Sequence, residues 1–145
     1  MSYEYYLQAH LNGDSQGVPT ERILAIFKDY IVAKSDTYID LKFSEGNSCS
    51  IYLATEEPFN SGFMISRPCG DKLGDCLYEV MLLGNFVFFE PDGTHMIIIN
   101  PDVEVHLPED MIESLGKPVV ASDRETFLEL YGNNRMSIPF ETIRF

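Results

Sequence analysis

The stretch 85-NFVFFEPDGTHMIIIN-100 predicts a β-hairpin whose turn consists of Pro91, Asp92 and Gly93. Neither flanking strand alternates apolar with polar residues, because residues 86–89 and 96–99 are uninterrupted apolar runs. Successive side chains of a strand point to opposite faces of its sheet, so both faces of this hairpin carry apolar groups. The sequence therefore requires a cover for each face.

The first third of the chain predicts a strand, a helix and a hairpin, in that order. Residues 3–11 alternate as a strand does, and Pro19 begins a helix. Residues 37–43 and 49–55 are two strands joined by a short polar turn. The apolar stripe of the helix comprises Ile23, Ile26, Phe27, Tyr30 and Ile31.

The next third repeats this order and ends in the opening hairpin. Residues 62–67 predict a strand, and a second helix follows with Asp71 as its N-cap and Gly84 as its end. Its buried stripe comprises Leu73, Cys76, Leu77, Val80 and Leu83. Two βαββ-like units therefore precede residue 101.

The residues after the hairpin predict an α-β-α extension. It consists of a short acidic helix at 108–115, a strand at 118–121 and a helix at 123–131 that begins in the capping box 122-SDRE-125. We expect this last helix to cover the second face of the hairpin, although a second copy of the chain, a ligand or a partner would also serve. Its apolar residues are Phe127, Leu128, Leu130 and Tyr131.

These elements predict an α+β fold, with helices packed on a mainly antiparallel sheet and residues 1–145 in a single domain. The doubled order of strand, helix, strand, strand resembles that of gyrase-inhibitor-like effector-binding domains. The resemblance lies in element order and implies the fold class; fold alone does not determine function.

Composition favours an ordered cytoplasmic protein. The start of the sequence has no basic, apolar leader, and no run approaches the roughly 18 apolar residues that span a bilayer. The three cysteines, Cys49, Cys69 and Cys76, are odd in number and show no zinc-ligand spacing, which favours reduced thiols. We expect a monomer or homodimer without a cofactor.

The formal net charge of −13 is the strongest signal in the composition. Such a field repels nucleic acids and anionic membranes and speeds the encounter with basic proteins, although it also simply promotes solubility. Five carboxylates crowd one segment of twelve residues and predict either a surface for a basic partner or a solvated face. They are Asp102, Glu104, Glu109, Asp110 and Glu113.

The leading prediction is a non-enzymatic acidic binding protein that docks a basic protein partner. In size, acidity and α+β character the chain resembles bacterial immunity proteins, a resemblance that implies neutralisation of a toxin. No GxSxG motif or activated cysteine motif is present, so we predict no catalytic residue.

Two alternatives remain open. A small-molecule effector-binding domain would use an apolar sheet face formed by Phe86, Phe88, Ile97 and Ile99. A metal-dependent enzyme would use Asp102, Glu104 and His106, which a strand would direct to one side. A charged edge strand explains that pattern more simply, so we predict no metal ligand.

Overall fold

The structure is a computed structural model that describes residues 4–68, 70–90 and 95–140, with side chains described up to residue 132. The predicted turn residues Pro91, Asp92 and Gly93, and also Cys69, lie outside the described residues. The strands are β1 (Glu4–Leu11), β2 (Asp14–Ser15), β3 (Val18–Pro19), β4 (Ile31–Lys34), β5 (Tyr38–Ser44), β6 (Asn47–Tyr52), β7 (Phe59–Asn60), β8 (Gly62–Ser66), β9 (Phe86–Phe89), β10 (Ile97–Ile98) and β11 (Val119–Val120). The α-helices are α1 (Thr20–Phe27), α2 (Gly70–Met81), α3 (Glu109–Leu115) and α4 (Arg124–Phe140), and two 3-10 helices are η1 (Lys28–Tyr30) and η2 (Pro101–His106).

Most strands join one sheet, in the order β11-β10-β9-β1-β8-β6-β5-β4, with β2 added to β1. All neighbours in this sheet are antiparallel except β10 and β11, which are parallel. Strands β3 and β7 form a separate two-stranded ribbon. The predicted α+β fold with a mainly antiparallel sheet is confirmed.

The two βαββ-like units are interleaved in the sheet. Their first strands, β1 and β8, pair with each other at the centre, where Leu7 lies opposite Phe63. Each unit's hairpin then lies beside the first strand of the other unit: Leu7 also pairs with Phe88 on β9, and Ile65 on β8 pairs with Ile51 on β6. Element order along the chain does not reveal this exchange.

The first helix is shorter than predicted. It ends at Phe27, and after η1 the chain forms the edge strand β4, in which Ile31 pairs with Leu41. The prediction that Tyr30 and Ile31 continue the helical stripe is therefore wrong. Ile31 and Val32 are β-branched residues, which favour a strand where a neighbouring strand offers pairing.

The predicted starts of α2 and α4 are wrong by one or two positions. Helix α2 begins before Asp71, which lies in its first turn, and it ends at Met81 rather than Gly84. The N-cap of α4 is Asp123 rather than Ser122: the Asp123 carboxylate accepts a hydrogen bond from the Thr126 backbone N–H at 2.8 Å. This bond lowers the pKa of the Asp123 carboxyl.

One face of the sheet packs against α1, α2 and α4. Phe127 on α4 is fully buried there and its ring contacts Phe88 on β9. The same cluster contains core residues of α2, so α4 lies on the face that α2 also covers. The prediction that the last helix covers the second face of the hairpin is therefore wrong.

Arg124 fastens α4 to α2. Its guanidinium donates to the Asp75 carboxylate at 3.2 Å and to the Glu79 carboxylate, and it lies 4.8 Å from the ring centre of Tyr78. Close packing continues at Gly74, where an added Cβ would lie within 3.0 Å of the Tyr131 ring. A small residue and an ion pair thus hold the last helix beside α2.

The second face of the hairpin is covered by η2 and α3. Val87, Met96 and Ile98 are fully buried in a cluster with Val103 and Leu107 of this segment. The partly buried members of the cluster are Phe89, Met111, Ile112, Leu115 and Val120. The C-terminal third does supply the cover, through its first helical segment rather than its last.

Candidate functional site

The cover formed by η2 and α3 stops at β9, and the rest of that sheet face lies open among the described residues. Core residues of β1 have odd numbers, so its even-numbered side chains point to the open face. Among them are Tyr6, Gln8 and His10. The alternation of residues 3–11 predicts the strand, but Tyr6, Gln8 and His10 were not among the predicted site residues.

Five side chains cross the open face in a single row, which we call the aromatic row. Cross-strand pairing connects them without a gap from β5 to β9. The row comprises Tyr38, Tyr52, Met64, Tyr6 and Phe89, in that order.

The rings at both ends of the aromatic row are in contact with their neighbours. Tyr6 and Phe89 are stacked with centroids 5.4 Å apart, and Tyr38 and Tyr52 are 6.1 Å apart. Tyr52 is 43% exposed, and the other four side chains are partly exposed. Phe89 also packs in the cluster beneath α3, so the row runs up to the cover.

A pocket of about 380 Å³ lies beside the row, and we call it the His10 pocket. His10 is nine-tenths buried, and its Nε2 lies 3.2 Å from the Gln8 side-chain oxygen. Its Nδ1 forms no hydrogen bond of normal geometry with the described residues, although the Asp14 backbone is close enough to act on the imidazole. The side chains that define the pocket are those of Tyr6, Gln8, His10, Ser15, Ser61 and Met64.

Burial lowers the pKa of His10 below its ordinary value of 6.5, and the backbone of Asp14 only partly opposes this shift. The neutral form of the imidazole therefore predominates at pH 7. No Asp, Glu, Lys or Arg is among the described residues that line the pocket. The pocket thus offers amide, hydroxyl and neutral imidazole groups beside the ring of Tyr6.

Gly62 on β8 fixes the spacing of the two strands under the pocket. An added Cβ at this position would lie 2.4 Å from the Leu7 carbonyl oxygen and 3.1 Å from the Gln8 Cα. Because both are backbone atoms, they cannot move aside without disturbing the central strand pair. Glycine therefore allows β1 and β8 to pair where Gln8 leads into the pocket.

The turn between β1 and β2 joins this pocket to η2. The Asn12 backbone N–H donates to Nδ1 of His106 at 3.1 Å, and the Gly13 N–H donates to the His106 carbonyl at 2.9 Å. Asn12 and Gly13 have φ angles of 52° and 88°, the left-handed conformation that an Asn-Gly turn supplies. His106 thus holds a turn, with Nδ1 as acceptor.

The predicted strand at Asp102, Glu104 and His106 is wrong. These residues lie in the 3-10 helix η2, where three residues complete a turn, so alternate side chains point in different directions. The residues that the structure describes contain no group of three or more side chains arranged to hold a metal ion. The metal-dependent alternative loses the geometry on which it depended.

Three of the five predicted partner-binding carboxylates meet at an open cleft of about 770 Å³, which we call the acidic cleft. Glu109, Asp110 and Glu113 line it from α3, together with Val105, which is 76% exposed. Asn12 and Gly13 form its other side. The remaining two, Asp102 and Glu104, lie on η2; the first is exposed and the second is half-buried.

The charge of this region is not balanced locally. Between Lys72 and Lys117 the sequence has nine carboxylates and no Lys or Arg. Two of them, Asp75 and Glu79, pair with Arg124. Within the described ranges, none of the five carboxylates of η2 and α3 takes part in an ion pair. Their field therefore reaches the solvent.

The alternative ligand site lies in the core. Phe86, Phe88 and Ile97 are fully buried beneath α2 and α4, and Ile99 is half-buried. A ligand would have to displace a helix to reach them. The cysteines that the structure describes are also buried, and burial raises the pKa of Cys76 to about 11, which makes its thiol a poor nucleophile at neutral pH.

Comparisons with protein-family models, with curated proteins and with solved structures found no match. None of the described helices has the length and apolar character needed to cross a membrane.

Proposed function

We propose that this protein is a non-enzymatic binding protein that docks a basic protein partner at the acidic cleft. One observation supports this function above all: Glu109, Asp110 and Glu113 line one cleft together with the exposed Val105, and no lysine or arginine is among the described residues that line it. Charged rims around an apolar contact are typical of protein interfaces. Neutralisation of a basic toxin by a bacterial immunity protein is the concrete form of this proposal.

The carboxylates act mainly on the rate of encounter. Exposed charges attract a basic partner over roughly 8 Å at physiological ionic strength, so they speed association more than they slow dissociation. Replacing Glu104, Glu109 and Asp110 by lysine should therefore lower the association rate with a basic partner, and added salt should weaken the native complex.

A lysine nonapeptide tests the site without knowledge of the partner. We expect the peptide to shift NMR signals of η2, α3 and the Asn12–Gly13 turn. The variant Glu109→Gln/Asp110→Asn/Glu113→Gln should weaken binding by roughly fivefold or more, since each exposed pair contributes up to about 1 kcal/mol.

The matched control neutralises three exposed carboxylates elsewhere, with Asp36→Asn, Glu56→Gln and Glu57→Gln. It changes the net charge by the same amount and should leave most of the affinity. Equal losses in the two variants would mean that only overall charge matters, and the acidic cleft would not be the binding site.

A further inference from the structure

The His10 pocket links the aromatic row to the β1–β2 hairpin, and the turn of that hairpin lines the acidic cleft. Tyr6 and Met64 belong to both the row and the pocket. The β1–β2 hairpin then separates the pocket from the cleft, with Ser15 on one side and Asn12 and Gly13 on the other. A partner seated in the cleft therefore lies next to the open sheet face.

The composition of the row is that of an interface centre. Tyrosine, phenylalanine and methionine are enriched in such centres, and the aromatic rings bury much apolar area with few rotatable bonds. The side chains on a solvated sheet face are normally polar, and apolar groups are rarely contiguous there. Five such side chains in register across five strands thus distinguish this part of the sheet.

We propose that the basic partner assigned to the acidic cleft also covers the aromatic row, and that it does so with arginine side chains lying on the tyrosine rings. This inference rests on the proposed function, because the cleft supplies the charge that selects the partner. The planar guanidinium stacks on aromatic faces, whereas the compact lysine ammonium ion does so less well. Tyr38, Tyr52 and Tyr6 are the rings that receive it.

The groups around the aromatic row are compatible with the binding of cationic side chains. The His10 pocket is lined by neutral residues, and among them Gln8, Ser15 and Ser61 have side-chain oxygen atoms that can accept hydrogen bonds from a guanidinium, which is a donor only. On the far side of the row Lys42 is paired with Glu45 at 3.2 Å, and Asp40 accepts from Ser50 at 2.6 Å. Arg67 also lies near that side of the row. That side therefore carries charges of both signs, so it is the acidic cleft that orients the basic partner.

Two nonapeptides, one of arginine and one of lysine, separate this inference from the proposed function. The row variant Tyr38→Ser/Tyr52→Ser should weaken binding of the arginine peptide by about fivefold or more while changing lysine-peptide binding much less. Its salt dependence should stay as in the native protein. The cleft variant, Glu109→Gln/Asp110→Asn/Glu113→Gln, should instead weaken the binding of both peptides and reduce the salt dependence of that binding.

Phe59→Ser is the matched control, because Phe59 is 59% exposed and lies on the β3–β7 ribbon, which is separate from the sheet that carries the row. It should bind both peptides as the native protein does. Tyr52→Ser alone, at a side chain that is already 43% exposed, serves if the double variant does not fold.

Every other outcome contradicts either this inference or the proposed function. A row variant that binds the arginine peptide normally, or loses both peptides equally, overturns this inference and leaves the proposed function in place. If the cleft variant binds both peptides as the native protein does, the proposed function is overturned, even if the row binds the arginine peptide. A dimer in sedimentation that dissociates with Tyr52→Ser would mean that a second copy of the chain covers the row, which also overturns the inference.

Discussion

The ring of Phe127 on α4 meets the ring of Phe88 on β9 edge to face, with centroids 5.8 Å apart. Phe88 in turn meets Tyr5 at 4.9 Å, also edge to face, and Tyr131 completes the group at 5.5 Å from Tyr5. All four rings are fully buried. Since such edge contacts add to the gain from burial, the last helix is part of the core and not an appendage.

Replacing Phe127 by alanine should therefore lower the free energy of unfolding by about 3–5 kcal/mol, because it leaves a cavity beneath α4. Urea denaturation of the native protein and the variant measures this. Phe59→Ala is the control, since its exposed ring should cost within about 0.5 kcal/mol. Similar losses in both variants would contradict the placement of α4.

Gly74 and Gly132, one in α2 and the other in α4, should respond to alanine with opposite signs. An added Cβ at Gly74 would lie 2.8 Å from a Leu128 methyl group and 3.0 Å from the buried Tyr131 ring, whereas at Gly132 it would meet no described atom within 4 Å. Overpacking costs about 1–3 kcal/mol, against a gain of roughly 1 kcal/mol in helix propensity. Thermal unfolding should show a lower Tm for Gly74→Ala and a higher Tm for Gly132→Ala; stabilisation by Gly74→Ala would mean that α2 and α4 are less closely packed.

His10 should make the stability of the protein depend on pH. Its folded pKa lies below the unfolded value of 6.5, so the unfolded chain binds the proton more readily. This contribution is complete above pH 6.5 and is lost as the pH falls through the folded pKa. His10→Gln should flatten the unfolding free energy between pH 7 and pH 5, measured by urea denaturation at each pH. An unchanged slope would show that His10 is not buried in its neutral form.

The sequence allowed the main elements and the fold class to be predicted, because amphipathic periods and turn residues act locally. The prediction of a strand at 102–106 is wrong. The apolar–polar alternation in 102-DVEVH-106 is compatible with a strand, but the residues before it favour a helix. Asn100 accepts a hydrogen bond from the Asp102 N–H at 2.9 Å, and Pro101 follows as the first helical residue. An N-cap followed by proline was a readable helix signal.

The candidate site could be predicted only in part. Glu109, Asp110 and Glu113 are neighbours along one short helix, so their convergence was visible in the sequence. The aromatic row was not, because its members lie on five strands and meet through pairing registers that distant segments determine. The exchange of hairpins between the two units adds to this difficulty, since β9 joins β1 rather than β8.

The segment from η2 to α3, which covers the second face of the hairpin, should unfold locally while α4 stays folded. Leu107 is 5% exposed and packs with Val87, Met96 and Ile98, so Leu107→Ala should cost about 2–4 kcal/mol. Hydrogen exchange by NMR should speed up at the Gly116 amide, which donates to Ile112 in α3. The Phe127 amide, which donates to Asp123 at the start of α4, should exchange as in the native protein. Equal acceleration at both amides would show that the segment from η2 to α3 and the helix α4 unfold as one unit, and the two faces of the hairpin would then not be covered separately.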